Sequence, residues 1–293
     1  MPSPRKCGVD PHAVNEAQFI TALRTLPLHP GAEGLRDDTA TLAIGGETLV
    51  LTHDAIAEGV HYRPGTDPFD IAWKLVAVNL SDLAAKGAEP LGVLIGAVLV
   101  EKAERFVEGL RAILTEYDVP LLGGDTISVS PATFGCTAIG RATTAHVPRR
   151  DGARPGDALW VTGPLGAAML GFESGHGTAY LHPRPRLADG RALSPHVSAM
   201  MDVSDGLLLD ARRMAEASGC TADITLARVP IAAGAEPLRA VTWGDDYELL
   251  FAAPPAFVPP VPAARIGEMA GLGKAPLLLD GQVPEIALGY QHR

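Results

Sequence analysis

The sequence predicts an α/β chain of two domains, on three observations. Its 293 residues are enough for two domains of roughly 100–200 residues each. Short apolar runs of strand length alternate with segments of helical periodicity in both halves, which argues against a helical bundle or a β-sandwich. A turn-rich basic stretch from Pro148 to Asp157 separates the halves, so domains spanning 1–147 and 148–293 are expected, each of mixed α/β type.

Taken in order, Met1 to about Ala13 reads as a frayed tail. Glu16–Leu26 reads as a short helix with Phe19, Ile20, Leu23 and Leu26 inward. A loop holding Pro27, Pro30, Gly31 and Gly34 leads to Asp37-Asp38, and Thr48–Thr52 reads as a strand delivering His53 and Asp54 at its end. Asp67-Pro68 starts a helix, the carboxylate capping freed N–H groups and proline losing no bond at the first position; Gly87 stops it. Within that helix Ile71, Leu75, Val78 and Asp82 share one face. An ionised carboxylate on an apolar face needs a cation, supplied either by a structural salt bridge or by a metal ion. Pro90–Val100 then reads as a strand, and Ala103–Tyr117 as a helix with Phe106, Leu110, Ile113 and Leu114 inward. Leu121-Leu122 reads as a strand running into Gly123-Gly124-Asp125-Thr126, and Phe134–Arg141 as another. The second half opens with a strand at Ala158–Thr162, a small-residue helix after Gly163, and a Pro/Arg-rich linker from His182 to Arg186. Asp202-Val203-Ser204-Asp205-Gly206 leads into a helix from Leu207 to Ala217 stopped by Gly219. A strand at Tyr247–Ala253 follows Trp243-Gly244-Asp245-Asp246.

Composition narrows the function. A hydrophobic share of 47% excludes disorder for most of the chain. The formal charge is −10, and the basic groupings are short, such as Arg149-Arg150 and Arg212-Arg213, so no nucleic-acid partner is expected. No window approaches the ~20 apolar residues of a spanning helix, so no membrane role is expected either. Cys7, Cys136 and Cys220 form neither a CxxC pair nor a disulfide framework, and the N-terminus has no signal-peptide core; a reducing, cytoplasmic setting follows.

The sequence has no Walker A loop, since Gly271-Leu272-Gly273-Lys274-Ala275 lacks the first glycine and the final hydroxyl, and no GxGxxG, HExxH or GxSxG. Instead, aspartates recur beside small or hydroxyl residues at the ends of apolar runs. They occur in Asp37-Asp38-Thr39, Thr52-His53-Asp54, Ser81-Asp82, Gly124-Asp125-Thr126, Ser204-Asp205 and Gly244-Asp245-Asp246. One such pair is ordinarily a turn; six together point to hard cations with oxygen ligands. An acidic pocket holds a polyphosphate when Mg²⁺ ions lie between them. Among the histidines, His53 and His61 are the functional candidates, being close to Asp54, whereas His182, His196 and His292 read as surface positions. Asp37 reads as shaping its turn, Asp210 as a solvated or capping carboxylate, and Trp243 and Tyr290 as packing residues.

The ordered set Asp37-Asp38-Thr39-Ala40, Glu58-Gly59-Val60-His61, Val78-Asn79-Leu80-Ser81-Asp82-Leu83-Ala84-Ala85, Gly123-Gly124-Asp125-Thr126, Asp202-Val203-Ser204-Asp205-Gly206-Leu207 and Gly244-Asp245-Asp246-Tyr247-Glu248-Leu249 resembles the thiamine-monophosphate kinase family over about residues 33–289. The wider aminoimidazole ribonucleotide synthetase-like superfamily shares the two-domain architecture and ATP use. The resemblance implies phosphoryl transfer from ATP to thiamine monophosphate, giving thiamine diphosphate and ADP, with several Mg²⁺ ions. By motif match it implies Asp38, Thr52, His53 (mainly through its backbone), Asp54, Asp82, Asp125, Asp202 and Asp205 as metal ligands. It places Gly124, Asp125, Arg150 and Ser204 at ATP and His61 and Asp245 at the thiamine end, and implies a homodimer formed through the N-terminal domains. No side-chain base is expected, because the acceptor is already a phosphate anion. The sequence departs from the family pattern at Arg36, where glycine is usual, at His53, where threonine is usual, at Arg293, where an aromatic is usual, and in a short Gly163–Asp202 segment. These departures leave two alternatives: a superfamily relative acting on another small molecule, and a nucleotide-binding paralogue without turnover.

Overall fold

A computed structural model describes residues 16–175 and 177–291, and all counts below refer to these residues. The expectations for the tail to Ala13, Cys7, His292 and Arg293 lie outside them. The described chain opens with α1 (Glu16–Leu23), a 3₁₀ turn (Pro30–Leu35), and the hairpin β1 (Ala40–Ile44) and β2 (Glu47–Ala57). It continues through α2 (Pro68–Ala85), β3 (Ala88–Val98), α3 (Ala103–Glu116), β4 (Leu121–Ile127) and β5 (Thr133–Ala142). The second half holds β6 (Ala158–Val161), α4 (Ala167–Ser174), α5 (Thr178–Leu181), α6 (Leu187–Leu193), β7 (Ala199–Asp202), α7 (Leu207–Ser218), β8 (Cys220–Ile224), α8 (Pro237–Trp243), β9 (Leu249–Ala253), β10 (Ala264–Gly271) and β11 (Leu277–Leu279). Two mixed sheets result, ordered β1-β2-β5-β3-β4 and β11-β8-β10-β6-β9-β7.

α2 lies between the two halves, packed on β2, β3 and β5 on one side and on α6 and β7 on the other. It begins as its sequence dictates: the Asp67 carboxylate accepts from the Phe69 N–H, and Pro68 fills the first turn. Because both sides are covered, burial extends all round the helix from Leu75 to Ala85. One hydrophobic core runs from the first sheet through α2 to Met200 and Phe251 of the second, and a separate core lies under α7. β9 is buried along its whole length because its alternate residues feed these two cores.

Three local expectations are corrected. α1 buries none of its residues, and Phe19 is 58% exposed. The strand expected at Thr48–Thr52 runs on to Ala57, and its hairpin partner β1, turned by Gly45-Gly46, went unread. Arg36 keeps a φ of −111°, so the turn that glycine usually serves is not strained there; Glu33, Gly34 and Leu35 take the left-handed conformation instead.

Candidate active site

A cavity of about 720 Å³ opens between the two halves, floored by β2 and α2 and walled by the loops after β7 and α8. Alternation along β2 turns Thr52, Asp54 and Ile56 toward α2. From α2, Asp82 meets them: the Thr52 hydroxyl donates to its carboxylate at 2.5 Å. The Asn79 carboxamide oxygen accepts from the Asp54 N–H at 2.9 Å. From the other half, Asp202 at the end of β7 accepts from the Ser81 hydroxyl at 2.5 Å. Carboxylate oxygens of Asp38, Asp82 and Asp202 all lie within 4.8 Å of one another.

Carboxylates at that separation repel one another, and Arg150 compensates only one of them, Asp38. Desolvation, then the charges of Asp54 and Asp202, push Asp82 well above the ordinary carboxylate range. Desolvation and Asp38 raise Asp202 to about 8. Asp54 is reachable from the cavity yet deep in the protein mass, and desolvation and Asp38 raise it to about 6. Among the described residues, Asp38 Oδ2 is a buried acceptor with no hydrogen-bond partner. An orphaned carboxylate oxygen beside two proton-holding carboxylates fits a hard divalent cation, which would replace those protons. Asp37 is not part of this group. Burial works against its charge, but Lys86 at 2.6 Å and then Arg150 hold it below the ordinary value, as befits a turn-shaping ion pair.

Arg150 pairs with Asp38, and its backbone N–H donates to Asp37 at 3.3 Å. Asp210, near enough to Arg150 to feel its charge, is fully buried rather than solvated. One of its oxygens accepts from the N–H groups of Ser204 and Asp205, each at 3.1 Å, so it sets the shape of that loop. Desolvation raises its carboxyl to about 7 against the pull of Arg213. The Ser204 carbonyl in turn accepts from the Asp245 N–H at 2.8 Å, pressing the two motif loops together. Gly244 makes that approach possible: its φ is 94°, and a Cβ there would lie 2.4 Å from the Ser204 oxygen.

The far end of the cavity has a different chemistry. Phe172, Tyr180 and Trp243 line it, with Phe172 5.1 Å from the Tyr180 ring and 5.3 Å from Trp243. His61 and Asp245 line this end, as expected, but Asp245 already has a cation. Lys74, 2% exposed, reaches from α2 to its carboxylate at 3.1 Å, donates to the His61 carbonyl at 3.1 Å, and stands 3.8 Å from the Tyr180 ring centroid. Trp243 and Tyr290, read as packing residues, both face the cavity.

Of the residues expected at the site, Asp38, Asp54, Asp82, Arg150, Asp202, Ser204, Asp205, His61 and Asp245 line this one cavity, with Thr52 bonded to Asp82. The His53 ring lies on the other face of β2, bonded to the Thr137 hydroxyl at 2.8 Å, so only its backbone is near the cluster. Gly124 and Asp125 are not brought in. They sit on β4, exposed throughout, three strands from β2 in the register Asp54–Cys136–Ile95–Gly124, a lateral distance of ~14 Å. Gly124 is required there by packing, since its Cβ would lie 1.9 Å from the Ile95 carbonyl oxygen. Sequence reasoning missed Lys74, Phe172, Tyr180 and Arg213. Lys74 carried a signal: it shares the apolar stripe of Ile71 and Val78, the pattern that singled out Asp82.

Comparison with known proteins gives a consistent result. Residues 36–142 match the AIR synthase related protein N-terminal domain and residues 154–258 the C-terminal domain. A thiamine-monophosphate kinase of Escherichia coli (strain K12) is 36% identical over 252 residues, covering 75% of this chain and 76% of that protein. One from Caulobacter vibrioides is 34% identical over 302 residues, covering 90% of this chain and 86% of that protein. The solved structure of AaThiL complexed with AMPPCP and TMP superimposes with a TM-score of 0.83 at 27% identity, covering 95% of this chain and 97% of that one.

Proposed function

The chain belongs to the thiamine-monophosphate kinase family, and from that premise we propose that it transfers the γ-phosphoryl group of ATP to the phosphate of thiamine monophosphate, giving thiamine diphosphate and ADP. The observation that carries the reading is a single cavity with two chemically opposed ends, carboxylates and arginines at one and an aromatic wall at the other. Two substrates that each carry phosphate, one of them ending in heteroaromatic rings, fit such a cavity with their phosphates meeting at the acidic centre.

Asp38, Thr52, Asp54, Asp82, Asp202 and Asp205, with the His53 backbone, are the residues that would hold Mg²⁺. Bound there, Mg²⁺ neutralises the repulsion between the two phosphates and stabilises charge on the transferring group. Arg150 offers a planar fork to a phosphate oxygen pair, and Ser204 lines the same cavity. Phe172, Tyr180 and Trp243 take the thiamine rings, whose positive charge gains from aromatic faces. His61 and Asp245 orient the same end, with Lys74 keeping Asp245 from acting as a bare counter-charge. No side chain removes a proton, since the acceptor oxygen is already anionic; the protein's work is alignment and charge compensation.

Gly124 and Asp125 enter this reading through a second copy. The exposed edge strand β4, carrying Leu121, Leu122 and Ile127, supports a homodimer built through the N-terminal sheets, in which Asp125 is donated to the partner's site. The domains divide at 147/148, which puts Arg150 at the head of the second, and ATP as donor suits a cytoplasmic enzyme. The test is purified protein with ATP, Mg²⁺ and thiamine monophosphate, read by chromatography. Thiamine diphosphate and ADP in equal amounts are expected. Tight ATP binding with no thiamine diphosphate refutes the kinase reading and leaves a nucleotide-binding protein.

A further inference from the structure

Arg213 has no part in the assignments above, yet it lines the same cavity. It lies on α7 one turn after Asp210 and on the same face. Its Nη1 donates to two carboxylates at once, Asp210 at 2.9 Å and Asp205 at 2.5 Å. The two partners differ in kind. Asp210 is fully buried and fixed by the N–H groups of Ser204 and Asp205, whereas the Asp205 carboxylate stands in the cavity wall; its backbone is held by Asp210 through the N–H and by the Tyr290 N–H at the carbonyl, at 2.9 Å. Arg150, which also lines the cavity, repeats the pattern, an arginine paired with the Asp38 carboxylate of the acidic centre.

We propose that Arg213 is a second phosphate-binding arginine of the nucleotide end, paired with Asp205 in the metal-free protein and released toward the triphosphate when a divalent cation takes that carboxylate. The inference rests on the reading of Asp205 as a metal ligand. The exchange is a swap of cations. Asp205 gives up a guanidinium and gains the metal, while Asp210 keeps the arginine in place with one charge partner fewer. A guanidinium carries five N–H donors in a planar fork, and two parallel N–H groups match two oxygens of a phosphate. Anchorage by Asp210 means the fork is already positioned when the nucleotide arrives, so little side-chain freedom is lost on binding.

The test is calorimetric titration of the full chain with Mg²⁺ alone, then with a non-hydrolysable ATP analogue at saturating Mg²⁺, in wild type, Arg213→Gln and Arg213→Lys. Arg213→Gln removes the cation that competes for Asp205, so it binds Mg²⁺ alone several-fold more tightly while binding the analogue about tenfold more weakly. Arg213→Lys keeps a charge beside Asp210 and loses the fork, so its Mg²⁺ affinity stays near wild type while analogue affinity falls several-fold. Opposite signs for metal and nucleotide are the signature, because damage to the fold lowers both. Analogue affinity within twofold of wild type in either folded variant overturns the proposal, as does a joint fall of metal and nucleotide affinity in Arg213→Lys. Thiamine monophosphate is absent throughout, so failure of the kinase reading and failure of this inference are told apart.

Discussion

The acidic centre couples stability to pH with a definite sign. Asp202, buried at 2% exposure, titrates at about 8, first through desolvation and then through Asp38, against 3.8 for the free group. Asp82 is shifted the same way, Asp54 rises to about 6, and Asp210 and Asp246 rise to about 7, each chiefly through desolvation. A carboxyl whose folded pKa is raised holds a proton that the unfolded chain has given up. Stability without metal is therefore greatest below about pH 4 for these groups and is lost as pH climbs through about 8. A rise from 3.8 to about 8 corresponds to a loss on the order of 4 kcal/mol between the free value and neutrality, shared between Asp202 and the carboxylates that interact with it. Asp37 and Asp67 are shifted downward and act only at lower pH, outside this window. On the proposed reading Mg²⁺ would bind the deprotonated form and displace these protons, so its stabilising effect is expected to grow with pH. The assay is thermal melting by circular dichroism across about pH 5 to 8.5, with and without saturating Mg²⁺, paired with calorimetry in two buffers of different protonation enthalpy. A metal-free Tm that falls across the window is expected, together with a Mg²⁺-induced gain that widens and release of one to about two protons per binding event near pH 6. A metal-free Tm that rises with pH, or a Mg²⁺ gain independent of it, refutes the reasoning.

Two substitutions probe the cavity walls. Lys74→Met removes the buried cation bonded to Asp245 and His61, and is expected to cost ~3 kcal/mol in denaturant unfolding and to raise KM for thiamine monophosphate about tenfold, with KM for ATP little changed. Gly244→Ala forces a side chain into a φ of 94° against the Ser204 carbonyl, and is expected to lower stability by ~2 kcal/mol or more in the same unfolding measurement, while weakening both substrates.

Local signals carried most of the fold. α2 was legible because Asp67-Pro68 and Gly87 are start and stop signals independent of tertiary context, and α7 because Gly219 ends it with a φ of 65°. α1 misled because helical spacing of apolar residues states only that one face is apolar, not that anything covers it. The expected strand stops at Thr52 because two polar residues interrupt an apolar run; in the fold they continue the ladder to Ala57, Asp54 facing the cavity and the His53 ring the opposite face. For the site, the aspartates of β2, α2 and β7 were readable from their motifs. Asp125 shows the limit: a motif does not say where the fold puts its residue, and β4 lies three strands across the sheet from β2 and the acidic centre. Asp210 reads as a solvated or capping carboxylate and Arg213 only as half of a short basic grouping, because nothing local tells that α7 packs beside the Ser204-Asp205 loop and buries Asp210 there.

The claim that the Asp38, Asp82 and Asp202 centre carries the reaction through Mg²⁺ is tested most directly by Asp82→Asn, which removes charge with little change in volume and keeps an acceptor for the Thr52 hydroxyl. Formation of thiamine diphosphate is measured for wild type and variant over a Mg²⁺ titration, with circular dichroism as the control for folding. A folded variant that makes no product at any Mg²⁺ concentration is the expected result; near-normal turnover across the titration contradicts the assignment.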